Sequence, residues 1–194
     1  MCKIKQLAVV LAIVILSSCS GIRVSQDYDF STVFTQYKTF APTPEPSKKS
    51  GDVLMDSPLI DQRIRKAIEN TLTARGYTKT DHTRSDFYVA YQIIVKTRIE
   101  ADTVPGYGWG VYPYGYRRHY YPYWGDFGYE TYVRQYEEGT LIIDFMDSRT
   151  RKLFWRGVGS RRIYQQSSPE KLTAWVNEFV SEILAQYPPL PAGR

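Results

Sequence analysis

The chain has 194 residues, 43% of them hydrophobic, with 25 Lys and Arg against 20 Asp and Glu. The charge excess of +5 is small, and its bases are scattered along the chain. That distribution argues against nucleic acid as a partner. Two cysteines and two histidines leave no set of ligands at metal spacing, so no metal and no cofactor are expected.

The N-terminus has the three parts of a secretory leader. Lys3 and Lys5 give a positive start with no acid nearby, Leu7 to Leu16 is an unbroken apolar run, and the small residues Ser17 and Ser18 lead to Cys19. The apolar run is shorter than the roughly 20 residues that span a bilayer and has the length of a leader's apolar region. Leu16-Ser17-Ser18-Cys19 resembles the lipid-attachment and cleavage signal of bacterial lipoproteins. The resemblance implies cleavage between Ser18 and Cys19, a diacylglycerol on the Cys19 sulfur and acylation of the freed amine. Two or more acyl chains hold stably where one holds marginally. Ser20 follows the cysteine; an aspartate there would resemble an inner-membrane retention signal. The expected location is therefore the cell envelope, lipid-anchored at the outer membrane on its periplasmic side. Loss of Lys3 and Lys5 takes the excess charge from +5 to +3. Cys2 leaves with the leader, so the mature chain has no free thiol and no disulfide, and its fold must rest on a hydrophobic core.

Residues 1–18 are thus expected to be the signal peptide, 19–25 the lipidated N-terminus and tether, 26–188 a single domain, and 189–194 a tail. Short strands are expected around Val24–Asp29 and Tyr37–Ala41. Pro42 to Gly51 is rich in Pro, Ser and Lys and reads as a polar loop. Ser57 as N-cap and Pro58 in the first position start a helix whose apolar stripe is Ile60, Ile64, Ala67, Ile68, Thr71 and Leu72, with Gly76 as its C-terminal stop. Phe87 to Ile99 alternates strictly and predicts a strand with Phe87, Val89, Tyr91, Ile93, Val95, Thr97 and Ile99 on the buried face. A strand over Tyr132–Met146, a turn at Asp147–Thr150 and a strand over Lys152–Ile163 make a hairpin. Gly157 and Gly159 inside it call for a bulge or a close packing partner. Ser168, Pro169 and Glu170 open a last helix, with Leu172, Trp175, Val176, Phe179, Val180, Ile183, Leu184 and Tyr187 on one face, ended by Pro188 and Pro189.

These faces need one another. The expected fold is α+β, a two-layer sandwich in the order β-β-α-β-β-β-α. Its mostly antiparallel sheet of about four to five strands carries both helices on one face.

Several stretches in this order resemble the bacterial lipoprotein family called domain of unknown function 4136. They are the lipobox, Tyr28-Asp29-Phe30, Tyr37-Lys38-Thr39-Phe40, Arg75-Gly76-Tyr77 and Asp86-Phe87-Tyr88-Val89. They continue with Gly139-Thr140-Leu141-Ile142-Ile143-Asp144, Leu153-Phe154-Trp155-Arg156-Gly157 and Tyr187-Pro188-Pro189. The resemblance covers nearly all of the mature chain. It brings no activity with it, so no catalytic residue is implied.

Between the central strands, 105–129 departs from any helical or strand period. It holds Tyr107, Trp109, Tyr112, Tyr114, Tyr116, Arg117, Arg118, Tyr120, Tyr121, Tyr123 and Trp124 among interleaved glycines, and reads as a long loop. One reading is a low-complexity hairpin loop. The other is a contact surface, since Tyr and Trp give large amphipathic faces at low entropy cost. It would meet an envelope protein or peptidoglycan, in addition to the membrane contact through the lipid.

No catalytic constellation emerges. His82 sits in a polar turn and His119 beside Arg117 and Arg118. Gly106-x-Gly108-x-Gly110 lacks the following helix that a phosphate loop needs. Asp27 and Asp29 would share a strand face, Asp144 and Asp147 flank a turn, and the hairpin bases Arg149, Arg151, Lys152, Arg156, Arg161 and Arg162 read as a solvated face or a weak contact to anionic polymer or lipid headgroups. The expectation is a non-enzymatic binding or structural module. The alternative is a glycan- or peptidoglycan-modifying enzyme using carboxylates such as Asp27, Asp29, Asp126 and Asp144.

Overall fold

The structure is a computed structural model that describes residues 21–45, 47, 49–105, 129–163 and 168–189. Its strands are β1 (Arg23–Tyr28), β2 (Thr39–Pro42), β3 (Thr78–Lys79), β4 (Phe87–Pro105), β5 (Tyr129–Asp147) and β6 (Leu153–Arg162). Helix α1 (Pro58–Ala74) lies between β2 and β3, and α2 (Pro169–Leu184) follows β6. A single 3-10 turn, Phe34–Gln36, joins β1 to β2. The α+β class is as expected, with a sixth strand, β3, that the sequence reading did not include.

The sheet order is β1-β6-β5-β4-β2-β3. Pairs β1–β6, β6–β5 and β5–β4 are antiparallel, whereas β2 runs parallel to both β3 and β4. The parallel pairs follow from the connection, because α1 is the crossover between β2 and the strands beside it. The two-residue β3 lacks the alternation that would announce it. Its pairing is fixed by Thr78 N–H donating to the Lys38 carbonyl at 2.9 Å.

Both helices start as their sequences dictate. Ser57 Oγ accepts from Leu59 N–H at 3.2 Å and Ser168 Oγ from Lys171 N–H at 3.3 Å. Gly76 ends α1 at φ +88°, and Tyr77 N–H donates back to the Leu72 carbonyl at 3.1 Å, the left-handed stop that favours glycine. The helices run parallel. Arg63 Nε donates to Thr173 Oγ1 at 3.0 Å near their starts, and the Arg75 guanidinium donates to the Leu184 and Tyr187 carbonyls at their ends.

One core holds the layers together. Ile60, Ile64, Ala67, Ile68 and Leu72 of α1 and Val176, Phe179, Val180, Ile183 and Leu184 of α2 are buried with Phe87, Val89, Tyr91, Leu141, Ile143 and Phe145 of the sheet. Gly157 and Gly159 are where α2 comes closest. A Cβ on Gly159 would lie 2.7 Å from Ile183 Cγ1 and 2.8 Å from Phe179 Cε2. Of the two expectations for these glycines, the close partner is the one found; the irregularity in register leaves Phe154 of β6 without a partner between Phe145 and Met146 of β5, away from both glycines.

Burial stops before the strands do. The core face of β4 was expected to run to Ile99, but burial fades at Ile93–Val95, and Ile99 is 72% exposed. The strands nevertheless continue paired to Pro105↔Tyr129. The expected loop 105–129 therefore gives up both its end residues to the ladder, and residues 106–128 lie outside the described residues.

Two predictions follow from packing. Gly159→Ala should cost about 1–3 kcal/mol by overpacking against Ile183, and Phe179→Asp or Ile183→Asp should abolish the cooperative melt. An unchanged denaturation midpoint for any of them would overturn this account of the core. A third concerns acid. Burial pushes the Asp86 carboxyl up, but the Lys38 and Thr39 N–H groups and the Thr39 hydroxyl outweigh it and hold it below its ordinary value of 3.8. The folded value lies below the unfolded one, so this stabilisation is complete above 3.8 and is lost as pH falls through the depressed value. Asp86→Ala should cost about 1.5–3 kcal/mol at neutral pH and flatten the acid loss. Urea midpoints at neutral and acid pH check both.

Candidate functional site

Among the described residues, β4 and β5 form a two-stranded arm from Thr97↔Glu137 onward, with Ile163 N–H donating to the Glu137 carbonyl at 2.8 Å at its root. β6 pairs with β5 only as far as Glu138↔Arg162, and β2 pairs with β4 only over Phe87–Val89. The arm's nine rungs make it about 25 Å long at roughly 3.3 Å per residue. Isolated two-stranded ribbons are marginal in water, so its root needs a brace.

Glu138 supplies the brace. Only 5% exposed, it accepts from Arg98 Nη2 at 2.9 Å through one oxygen and from the Arg23 guanidinium through the other. Arg162 donates to Glu100 at 3.0 Å and lies 3.7 Å over the Tyr136 ring. The Arg23 and Arg98 side chains are exposed and the Glu138 side chain is buried, so the carboxylate is the member that depends on both pairs, and each gives it a charge-assisted bond. The sequence reading missed this group. Its signal was faint, a Glu137-Glu138-Gly139 step facing a strand of alternating charges.

A second polar cluster ties α1 to β4. Asp61 accepts from Arg65 Nε at 2.9 Å and from the Tyr91 hydroxyl, and Arg65 lies 5.5 Å over the Tyr91 ring. Burial, followed by the bond to Asp61, pushes the Tyr91 hydroxyl up to about 12. Burial raises Asp61, but Arg65 and Tyr91 outweigh it and lower the carboxyl. A cleft of about 340 Å³ opens here, lined by Ser47, Lys49, Asp61, Arg65 and Tyr91 among others. The carboxylate, guanidinium and phenol already engage one another, so the cluster acts as a clasp between layers. The Asp61/Arg65 spacing of four is readable on the helix; its contact with Tyr91 is not.

The carboxylates considered for catalysis have structural partners. Asp144 takes Arg156 in a bidentate pair at 2.6 and 2.7 Å, and Asp27 stands opposite Arg156 in the β1–β6 register. Asp29 falls just beyond β1, so it does not share a strand face with Asp27; it accepts from Ser31 N–H and hydroxyl at 2.9 and 2.6 Å. Asp147 holds its turn by accepting from Arg149 and Thr150 N–H at 3.0 and 2.8 Å. Asp126 and His119 lie outside the described residues. His82 is exposed in a turn, where its carbonyl accepts from the Tyr88 hydroxyl at 2.9 Å. Among the described residues no three His, Cys, Asp or Glu gather as a metal site. The basic hairpin is largely committed too. Besides Arg156 and Arg162, Arg161 donates to Glu178 at 2.9 Å and Arg151 lies 4.4 Å over Tyr88.

Ser18 and Cys19 lie outside the described residues, as do Tyr107, Trp109, Tyr112, Tyr114, Tyr116, Arg117, Arg118, Tyr120, Tyr121, Tyr123 and Trp124. What is described is where the chain leaves for them. The aromatic segment joins Pro105 to Tyr129 at the end of the arm, and Cys19 precedes the start of β1 by a few residues. No helix of the described residues is long and apolar enough to cross a membrane.

Among solved structures, the chain is similar to a PDZ domain protein from Parabacteroides distasonis, with 18% identity over 89% of this chain and a TM-score of 0.46. It spans 37% of that protein's chain. It is also similar to the PelC dodecamer from Paraburkholderia phytofirmans, with 10% identity, 84% of this chain, 95% of that one and a TM-score of 0.45. No curated protein matches it. Residues 24–189 match the model of a domain of unknown function, DUF4136, and the chain belongs to that family.

Proposed function

We propose that the protein is a lipid-anchored envelope module, held at the outer membrane through Cys19, that works by binding and presents residues 106–128 to a partner in the periplasm. The observation that carries this reading is the arm. Nine rungs of ladder extend past the last buried layer and end where a segment dense in Tyr and Trp begins. A strand pair that buries little contributes little to the core, and its Glu138 brace spends a buried charge on holding it out from the domain. Tyr and Trp suit binding, because their rings bury large area with few rotatable bonds to freeze. An envelope protein or peptidoglycan is the partner that this surface fits. The Asp144–Arg156 pair and the turn-capping roles of Asp29 and Asp147 argue for binding over carboxylate chemistry.

Replacing 106–128 with an Asn-Gly turn tests the reading, since two such residues close an antiparallel pair. The domain should keep its melting temperature, while crosslinks to partners in intact cells should disappear. An unchanged set of crosslinked partners would sink it. The brace makes a separate prediction. Glu138→Ala should speed amide exchange at least tenfold across 97–101 and 133–137 and leave Leu141–Phe145 protected. Unchanged exchange in the arm would show that the ion pairs do not stiffen it.

A further inference from the structure

The arm and the anchor leave the domain from the same end. β1 is antiparallel to β6, so Arg23 lies opposite Ser160, close to the Arg162 rung where the arm begins. The Arg23 guanidinium joins the two directly by donating to Glu138. Cys19 stands four residues before Arg23, and covalent geometry keeps the two Cα atoms within about 14 Å. The arm, at about 25 Å, is longer than that tether. A bilayer attached at Cys19 is therefore within the arm's reach, whether the arm tips into its surface or lies along it.

The two faces of the arm differ. Side chains on successive rungs alternate, so Ile99, Ala101, Thr103, Thr131, Val133 and Tyr129 share one face and carry no formal charge; the one charge on that face, Glu137, stands at the root of the arm opposite Thr97. Ile99 is 72%, Val133 66% and Tyr129 75% exposed. Arg98, Glu100, Asp102 and Arg134 belong to the other face. Apolar on one side and charged on the other is the pattern of an element that lies in a membrane interface, and a tyrosine ring suits the headgroup level. The strand edges set the depth. Among the described residues, from Arg98 to Pro105 and from Tyr129 to Tyr136 each strand has only the other as neighbour. Open edges are not tolerated in hydrocarbon but are satisfied among hydrated headgroups.

We propose that the uncharged face of the arm rests in the headgroup layer of the bilayer that carries Cys19, as a second attachment that fixes the domain's orientation on the membrane. The proposal rests on the lipid-anchor reading above.

The test uses the mature protein in vesicles of phosphatidylethanolamine and phosphatidylglycerol. Lipidation occupies Cys19 and cleavage removes Cys2, so one introduced cysteine can carry an environment-sensitive fluorophore. Ala101→Cys reports on the uncharged face and Asp102→Cys on the charged one. Val133→Cys and Arg134→Cys repeat the comparison on the other strand. Headgroup-level nitroxide lipids should quench the labels at 101 and 133 at least threefold more than those at 102 and 134. Equal quenching on both faces overturns the proposal. A blue-shifted but unquenched label at 101 also overturns it, and assigns that face to a protein partner or a second copy. Intact mass of the same sample separates the two readings. A missing diacylglyceryl mass defeats the anchor and the proposal together, whereas its presence with unquenched labels defeats the proposal alone.

Discussion

The rest of the structure depends on how closely α2 can approach β6. Gly157 and Gly159 present bare backbone to Ile183 and Phe179, and that approach sets the spacing of the two layers. At this spacing Tyr187, just past the helix, meets Phe145 edge-on at 4.7 Å and Trp155 at 5.2 Å, while Phe145 and Trp155 lie 4.7 Å apart. Aromatic pairs at such distances add about 0.5–1.5 kcal/mol each beyond their buried area. The helix end is then held from α1, where Arg75 donates to the Leu184 and Tyr187 carbonyls. A side chain at either glycine would push α2 outward and loosen every one of these contacts at once.

The same end of the sandwich gathers the short motifs that are scattered along the sequence. Tyr37 stacks on Phe154 at 4.2 Å, and its hydroxyl donates to Asp147 at 3.1 Å. Asp86 accepts from the N–H groups of Lys38 and Thr39 at 2.9 and 2.8 Å. Tyr77 and Tyr187 rings lie 5.7 Å apart. Tyr37-Lys38-Thr39-Phe40, Asp86-Phe87-Tyr88-Val89, Leu153-Phe154-Trp155 and Tyr187-Pro188 are therefore parts of one structural knot. Their polar members cap, clasp and stack within the fold.

Much of this was legible in the sequence. The helix caps at Ser57 and Ser168, the stop at Gly76, both apolar stripes and the need for a close partner at Gly157 and Gly159 depend on neighbours a few residues away, and local chemistry announces them. What was hidden depends on distant partners. β3 exists because two residues happen to lie beside β2. Asp61 and Tyr91 meet because the layers bring them together. The alternation of β4 continues unbroken to Ile99 and gives no sign that its helical cover ends earlier, near Ile93. Periodicity reports which residues share a face; it does not report whether anything lies on that face.

That distinction governs the arm. The helices begin at its root and run away from it, so no described element is placed to cover Ile99, Val133 or Tyr129. The strands stay paired because antiparallel backbone bonds need no core, but bonds alone leave a ribbon free to bend. Charge takes over where burial ends. Glu138, Arg98, Arg23, Arg162 and Glu100 lie together at the rung where β6 stops, on the face opposite the exposed apolar residues. Such pairs are weak in bulk water and strengthen as the surrounding dielectric falls. An arm lying with its apolar face against a surface would keep these pairs on its far side, where they would go on bracing its root, and Arg23 would tie that root directly to the chain leading to Cys19.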